Sequence, residues 1–575
     1  METQLQRATL ANRAAFQVGA RAVKLALIYL ASWSILLLGL DRNALNVFDE
    51  GDVLFGGLRV LWGDVPYRDF WTVYGPAQYW VVAVLFKIFG PFILVERAWD
   101  AAVRAGMATL AYMVARALTN ARLAVVVWLF SLGWLWIVGF YGYPLLPAAL
   151  FGLASAYLSG RYAVGLGGVG GLLGAGALVT LAGFFRHDIG VYTYMAEVTV
   201  ILAVPRVMRS GADFGRMAPW DGRMSAVAWL TCGAMLTFVP VAAYLLVHVP
   251  LQDLLHPLVI YPANIYPGAR SLPYPSLIEP LYDLLRGKWI AGALTFCQAL
   301  ALYFPWVVAG AGAVGLWRLR QAPLLNPKQK TVQFAILVLV LIVLAFSVKT
   351  LVRPHAVHAI HALVPGFVLA GLLIGMGDRL RAKPVQVVLV VAMVALALPP
   401  LAGLYRGARW SGIDRLVRAG SPVENAKRVV RYFIDPGNGP DPAIYFTISA
   451  DQAAAVSYIR THTGPRDKLF VANGRHDIAF ANDVLFYFLA QRAAVTKYHE
   501  FNPGLTTTSQ TQQAIIEALQ TESVPYVVRL RSFDNISEPN SSAQSSGVIL
   551  LDQFLQREYK EVARFGQYEI TQRQW

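Results

Sequence analysis

The sequence predicts a polytopic α-helical membrane protein that carries a small α/β domain at its C-terminal end. Three observations carry that expectation. Hydrophobic residues make up 56% of the chain and charged residues only 14%, where a soluble domain holds about 25% charged residues. Apolar runs of about 20 residues recur up to residue 405, each long enough to cross the roughly 30 Å hydrocarbon layer as a helix. After Arg406 the composition turns polar for the last 170 of 575 residues, enough for one further domain. The net charge of +15 reflects Lys and Arg in cytoplasmic loops and contact with lipid headgroups, so membrane lipids and not nucleic acid are the expected surroundings. Cys232 and Cys297 fall in apolar runs, which argues against a disulfide framework or a thiolate metal site.

The expected spans lie near 24–40, 97–118, 122–140, 143–160, 165–184, 188–205, 226–248, 289–316, 331–350, 357–377 and 384–405. Residues 1–24 carry Arg7, Arg13, Arg21 and Lys24 ahead of an apolar run with no small-residue cleavage site, which reads as an uncleaved first span with a cytoplasmic N-terminus. Three basic segments, 206–223, 317–330 and 378–383, are expected on the same cytoplasmic side. That parity holds only if the apolar run 76–93 does not cross. It is therefore expected to lie in the outer interface, anchored by Trp80 and Lys87. The outcome is about eleven spans, a membrane-embedded domain over 1–405 and an outer domain over 406–575. The loops 41–96, 139–144, 185–188, 249–288 and 349–355 all face outward.

Within the outer domain, Ala450–Thr461 has helical periodicity, and residues 468–472 and 525–529 read as short buried strands. Gln510–Thr521 and Gly547–Glu558 read as helices. The triplets at Asn535 and Asn540 match glycosylation sequons and are read as loop residues.

The outward loops hold the chemistry-bearing residues. Asp49, Glu50 and Asp52 fall within four residues just after the first span. A carboxylate there can take a proton from a hydroxyl or hold a divalent cation on a phosphate. The competing structural reading is an acidic turn capping a helix that starts near Gly51. Tyr67, Arg68 and Tyr74 follow in the same loop. Arg186, His187 and Asp188 form a charged turn between two spans, where Arg186 can meet a phosphate and Asp188 can orient His187 or a hydroxyl. Lys349 and Arg353 stand at a span end beside His355, His358 and His361, three of the nine histidines within seven residues. No carboxylate completes that group as a metal site, but it suits an anionic headgroup. The loop 249–288 is rich in Pro and Tyr, contains Arg270, and reads as a semi-rigid lid.

Together, the Asp49-Glu50 pair after the first span, the interfacial helix preceded by Tyr74-Gly75-Pro76, the many spans and the outer C-terminal domain resemble the GT-C class of glycosyltransferases. Protein O-mannosyltransferases and the lipid A aminoarabinose transferase belong to that class. The resemblance implies an inverting transfer of one sugar from a polyprenyl-phosphate donor to a glycan, lipid or protein acceptor, with Asp49 as the catalytic carboxylate and Glu50 or Asp52 assisting. Lys349, Arg353, Arg186 and Arg270 would receive the donor phosphate. Tyr67, Arg68, Tyr74, His187, Asp188, His355 and His358 would contact substrate. No cofactor or metal ligand set is expected, although Asp52 leaves room for a divalent cation. The implied location is a bacterial inner membrane with the C-terminal domain outside. Two departures stand out: Thr72-Val73-Tyr74 replaces a Lys that some members carry before the Pro, and the 139–144 turn lacks the acids of oligosaccharyltransferases. A lipid-linked saccharide transporter and a non-catalytic scaffold are the alternatives. The enzyme reading requires Asp49, the 186–188 turn and Arg353 to converge on one cavity.

Overall fold

Each of the eleven apolar segments expected to span is helical. The computed structural model describes residues 2–41, 44–139, 141–207, 220–321, 327–377, 383–410, 427, 430, 442–443 and 446–574. In chain order, α1 (Glu2–Leu38) is followed by the shorter α2 (Asp49–Leu61) and α3 (Ala77–Phe89), then by α4 (Ile93–Leu118), α5 (Ala121–Ile137), α6 (Leu145–Ala163), α7 (Val169–Phe185), α8 (His187–Val207) and α9 (Trp220–His248). The 249–288 loop winds through α10 (Leu251–Leu255), a π-helix (His256–Ile265), α11 (Tyr266–Arg270) and α12 (Glu279–Leu285). The bundle closes with α13 (Trp289–Arg320), α14 (Pro327–Val352), α15 (Ala356–Gly375) and α16 (Lys383–Trp410). Six of these helices, α1, α9 and α13–α16, contain stretches long and apolar enough to cross a membrane by length and composition. Their outer faces expose residues such as Leu236, Val247 and Val394, as lipid contact requires. Helix α15 is the buried centre of the bundle. The basic segments 206–223, 317–330 and 378–383 fall largely outside the described residues.

Helix α3 has 13 residues, about 20 Å of helix at 1.5 Å per residue, short of the hydrocarbon thickness. It packs along α2, with Tyr79 and Val82 standing where side chains on Gly56 and Gly57 would otherwise go. Gly75 is required by an equally close approach. A Cβ there would lie 1.9 Å from the Phe184 carbonyl oxygen, and its N–H donates to the Phe185 carbonyl at 3.2 Å. The first loop is thereby pinned to the end of α7, beside the 186–188 turn.

The C-terminal residues build an α/β unit from α17 (Ala450–His462), β1 (Lys468–Asn473), α18 (Leu485–Ala490), β2 (Ala493–Ala494), α19 (Ser509–Thr521), β3 (Tyr526–Leu530), α20 (Leu550–Glu558), β4 (Tyr559–Phe565) and β5 (Tyr568–Arg573). The sheet order is β2-β1-β3-β5-β4. Strand β1 runs parallel to β2 and β3, while β5 pairs antiparallel with β3 and β4. Ser449 and Thr508 cap α17 and α19 by accepting from the N–H groups of Gln452 and Thr511. Most of the 406–449 segment lies outside the described residues.

Helix α2 joins the two parts. Val53, Leu54, Phe55 and Leu58 share one core with Leu485, Phe486, Tyr487 and Phe488. Phe55 stacks on Tyr487 at 4.8 Å between ring centroids. The Leu485 N–H donates to the Val47 carbonyl at 2.9 Å, and the Trp71 N–H to the Lys497 carbonyl at 3.0 Å. A fully buried Phe carries about 3–5 kcal/mol against truncation to Ala, so this apolar seam outweighs the individual hydrogen bonds, each worth about 1 kcal/mol net.

The start of α2 is set by Asn46, whose Oδ1 accepts from the N–H groups of Phe48 and Asp49, while its own N–H donates to Glu50. The helix therefore begins at Asp49, two residues earlier than Gly51. Arg97 clamps Glu50 through a bidentate pair, Nε to Oε1 at 2.6 Å and Nη2 to Oε2 at 2.9 Å, and also donates to the carbonyls of Asp41 and Ala44. Both side chains are buried. Such a pair adds little net stability, but removing one partner strands a buried charge. Glu50→Gln is expected to lower stability by about 3–5 kcal/mol, seen as a lower thermal unfolding midpoint of the detergent-solubilised protein, with partial recovery in Glu50→Gln/Arg97→Met.

Candidate functional site

A cavity of about 820 Å³ opens at one end of the bundle, beneath the C-terminal unit. It collects residues from every loop expected to face outward: Asp49 and Tyr74, Tyr143, the Arg186–Asp188 turn, Tyr266 and Arg270, and Lys349 to His358. Phe480, Glu500, Asn502 and Phe533 of the C-terminal unit complete it. Asp49, the 186–188 turn and Arg353 thus do converge on one cavity.

Three neighbouring carboxylates are sent to three different places by helix geometry. Residues advance about 100° each around a helix, so Asp49, Glu50 and Asp52 point apart. Asp49 lines the cavity. Its carboxylate accepts from Asn46 Nδ2 at 2.9 Å. Burial pushes this carboxyl above the usual carboxylate range, while the Asn46 hydrogen bond and the charges of Arg270 and Arg353 pull against that rise. Glu50 is spent on Arg97, as described. Asp52 accepts from Tyr79 Oη at 2.6 Å and faces His499 Nε2 at 3.3 Å, away from the cavity lining. The assisting role expected of Glu50 and Asp52 meets this geometry: neither carboxylate is presented to the cavity.

The same cavity holds the cations Arg186, Arg270, Lys349 and Arg353. Lys349 donates to the Tyr266 hydroxyl at 3.4 Å and lies 4.6 Å from that ring's centroid. Arg353 forms a bidentate pair with Glu538 at 2.6 and 2.9 Å and donates to the Arg270 carbonyl at 2.9 Å. Arg186 pairs bidentately with Asp188 at 2.9 and 2.6 Å and reaches the Tyr143 hydroxyl at 3.3 Å. Arg270 donates to the Phe480 carbonyl at 2.7 Å. The cations shape Tyr266 itself. Burial would raise its phenol, but Lys349, Arg353, Arg270 and Arg186 together bring it below its ordinary value. Arg353 likewise holds Glu538 below its ordinary value despite burial.

The remaining expected residues divide. Tyr74, His187, Asp188, His355 and His358 line the cavity. His358 Nδ1 is 2.9 Å from the Tyr143 hydroxyl, and His355 caps α15 by accepting from the Val357 N–H. Tyr67 and Arg68 do not line it. Tyr67 is buried at φ 72°, an unfavourable backbone for a bulky side chain. Its hydroxyl donates to the Tyr74 carbonyl at 2.7 Å, so it supports the wall from behind. Arg68 points outward and pairs with Asp69. Among the described residues no cluster of three His, Cys, Asp or Glu could hold a metal ion.

Glu500, Asn502 and Tyr143 were not expected as site residues. Glu500 is 5% exposed; Oε1 accepts from Asn502 Nδ2 at 2.8 Å, and Oε2 has no hydrogen-bond partner. Burial, then the nearby charges of Asp52 and Asp49, push this carboxyl well above the usual range. Nothing local in the sequence marks it, because what seats it is the contact of its neighbour His499 with Asp52 of α2, 447 residues away in the chain.

No protein-family model matches the chain, and no curated protein matches it. Solved structures do. ArnT from Cupriavidus metallidurans in the apo state is similar over 96% of this chain and 98% of its own, with TM-score 0.50 and 14% identity. ArnT from the same organism bound to undecaprenyl phosphate gives TM-score 0.47 over the same shares, at 14% identity. The apo oligosaccharyltransferase of Archaeoglobus fulgidus covers 88% of this chain and 69% of its own, at TM-score 0.47 and 9% identity. The likeness to apo ArnT spans both the helical bundle and the C-terminal unit, so the GT-C resemblance read from the first outer loop holds at the level of fold.

The cation cluster gives Tyr266 a testable signature. Lys349→Met removes the largest charge that lowers the Tyr266 phenol, so this tyrosine is expected to ionise at higher pH than in the wild type. Tyrosinate ultraviolet absorbance on alkaline titration, with Tyr266→Phe subtracted, reads the shift; an unmoved titration would show that Lys349 does not act on Tyr266.

Proposed function

We propose that the chain is a membrane glycosyltransferase that moves one sugar from a polyprenyl-phosphate donor to a hydroxyl-bearing glycan, lipid or protein at the outer face of a bacterial inner membrane. The observation that carries this reading is a single cavity lined both by the carboxylate of Asp49 and by the cations Arg186, Arg270, Lys349 and Arg353. The fold shared with apo ArnT supports it as an analogy. In this reading about eleven helices span, α3 lies in the outer interface, and residues 406–575 form the outer domain that shapes the acceptor side.

The chemistry follows from these two sets of charges. The acceptor hydroxyl gives its proton to Asp49 while its oxygen attacks the anomeric carbon. The bond from that carbon to the phosphate oxygen breaks on the opposite side, so the configuration inverts. The lipid phosphate leaves with an added negative charge, which the cations stabilise more than they stabilise the bound donor. A leaving group of this kind needs no protein acid. The cations differ in readiness. Arg353 and Arg186 already hold carboxylates bidentately, and a phosphate must compete with Glu538 and Asp188 for them. The Lys349–Tyr266 contact at 3.4 Å is near the limit of a hydrogen bond, so Lys349 is the first cation to take the phosphate. The tyrosines and prolines of the 249–288 loop roof the sugar, and cavity residues such as Val191, Leu258 and Val259 give the first isoprene units an apolar wall.

Asp49→Asn in membranes supplied with labelled polyprenyl-phosphate sugars is expected to reduce transfer about 10²–10⁴-fold, the contribution of a positioned base, with the lipid still bound. Full retained transfer would remove Asp49 from the chemistry. The pH dependence has a defined sign. The base must be ionised and its carboxyl is raised by burial, so activity falls as pH drops through a value above the ordinary carboxylate range. Asn46→Ala deletes a hydrogen bond to the ionised form and is expected to move that acidic limb of kcat/KM to still higher pH; an unmoved or lower limb would contradict this.

A further inference from the structure

Glu500 is presented to the cavity by a local structure built around it. Asn482 is fully buried and grips the backbone on both flanks: Nδ2 donates to the His499 carbonyl at 2.8 Å, and Oδ1 accepts from the Phe501 N–H at 2.9 Å. His499 is fixed from the other side. Arg59 Nη1 lies 3.2 Å from Nδ1, and a guanidinium can only donate, so Nδ1 accepts. Nε2 then carries the proton and donates to Asp52 Oδ1 at 3.3 Å. Burial keeps this imidazole in its neutral form by lowering its pKa. Asp52 therefore acts on the cavity at one remove, by seating the residue next to Glu500.

The Glu500 carboxyl ends this chain of contacts. Asn502 fixes Oε1, and Oε2 is left buried without a partner on a residue that lines the cavity. An unpaired buried oxygen is costly, and a ligand hydroxyl is the group that would satisfy it. Asp49 lines the same cavity, close enough for its charge to act on Glu500. A donor whose phosphate meets the cations would hold its sugar between them and these two carboxyls.

We propose that Glu500 is a specificity-determining residue that accepts, through Oε2, a hydrogen bond from a hydroxyl of the transferred sugar. The inference rests on the glycosyltransferase reading above and deepens it. Asn502 also makes Glu500→Gln a sharp probe. Its N–H selects the amide oxygen for the Oε1 position, so the amide NH₂ takes the Oε2 position and an acceptor becomes a donor.

The test measures binding to the full chain in lipid nanodiscs with no acceptor present. The probes are undecaprenyl monophosphate, bare or carrying glucose, galactose, mannose or N-acetylglucosamine. The wild type is expected to bind at least one sugar-bearing lipid about tenfold more tightly than the bare lipid, the scale of one hydrogen bond. Glu500→Gln should keep its affinity for the bare lipid and lose that preference. Glu500→Asp, which withdraws the carboxyl by one methylene, should lose most of it. Three results would overturn the proposal: a wild type that binds bare and sugar-bearing lipids alike, a Glu500→Gln variant that keeps the preference, or one that loses bare and sugar-bearing lipid in equal proportion, as a purely structural residue would. A wild type that binds none of these lipids would instead overturn the glycosyltransferase reading, and this inference with it.

Discussion

The structure depends on the burial of α2 between the helix bundle and the C-terminal unit. Its apolar face, Val53 to Leu58, belongs to the core built by α18, while its first turn carries Asp49, Glu50 and Asp52. Apolar area supplies the attraction in this seam, and the acids set its geometry. A bare acidic turn in such a place would be expensive, because a carboxylate out of water must be paired or give up its charge. The fold answers three times. Arg97 pairs Glu50, Tyr79 and His499 engage Asp52, and Asp49, left to the cavity with a single side-chain donor, is pushed toward its neutral form.

This arrangement ties function to docking. The cation wall comes from helix ends and loops of the bundle, whereas Glu500 and Asn502 come from the C-terminal unit. Arg353 and Glu538 bridge the two parts on one side of the cavity, and Lys497 and Asp253 join the C-terminal unit to the 249–288 loop. Tyr261 adds a hydrogen bond from the π-helix to the Pro503 carbonyl at 2.9 Å. The cavity is thus assembled from distant stretches of chain, and each wall is held by contacts to the other.

What was legible in the sequence follows the range of the interactions. Apolar runs set the helices, because a run of about 20 such residues has few other stable states in lipid. The helices expected at 450–461 and 510–521 and the strands at β1 and β3 were readable from local pattern. The hairpin of β4 and β5 was not, since its strands interleave Lys, Glu, Arg and Gln with apolar residues and bury only Tyr559, Tyr568 and Ile570 of these fully. Among the candidate residues, Asp49, Tyr74, the 186–188 turn, Arg270, Lys349, Arg353, His355 and His358 come together. Glu50 and Asp52 were expected to assist Asp49 because sequence adjacency hides the rotation of a helix. Glu500 left no local trace, since its burial and its orphaned oxygen are properties of the assembled cavity.

The most direct test of the account follows both halves of the donor. Polyprenyl phosphate carrying a labelled sugar and a labelled phosphate is supplied to membranes containing the chain and to membranes lacking it. The account predicts sugar label in a product free of phosphate label, with one polyprenyl phosphate released for each sugar moved, and only when the chain is present. Sugar label that remains on intact lipid, merely redistributed across the bilayer, would contradict it and identify a transporter.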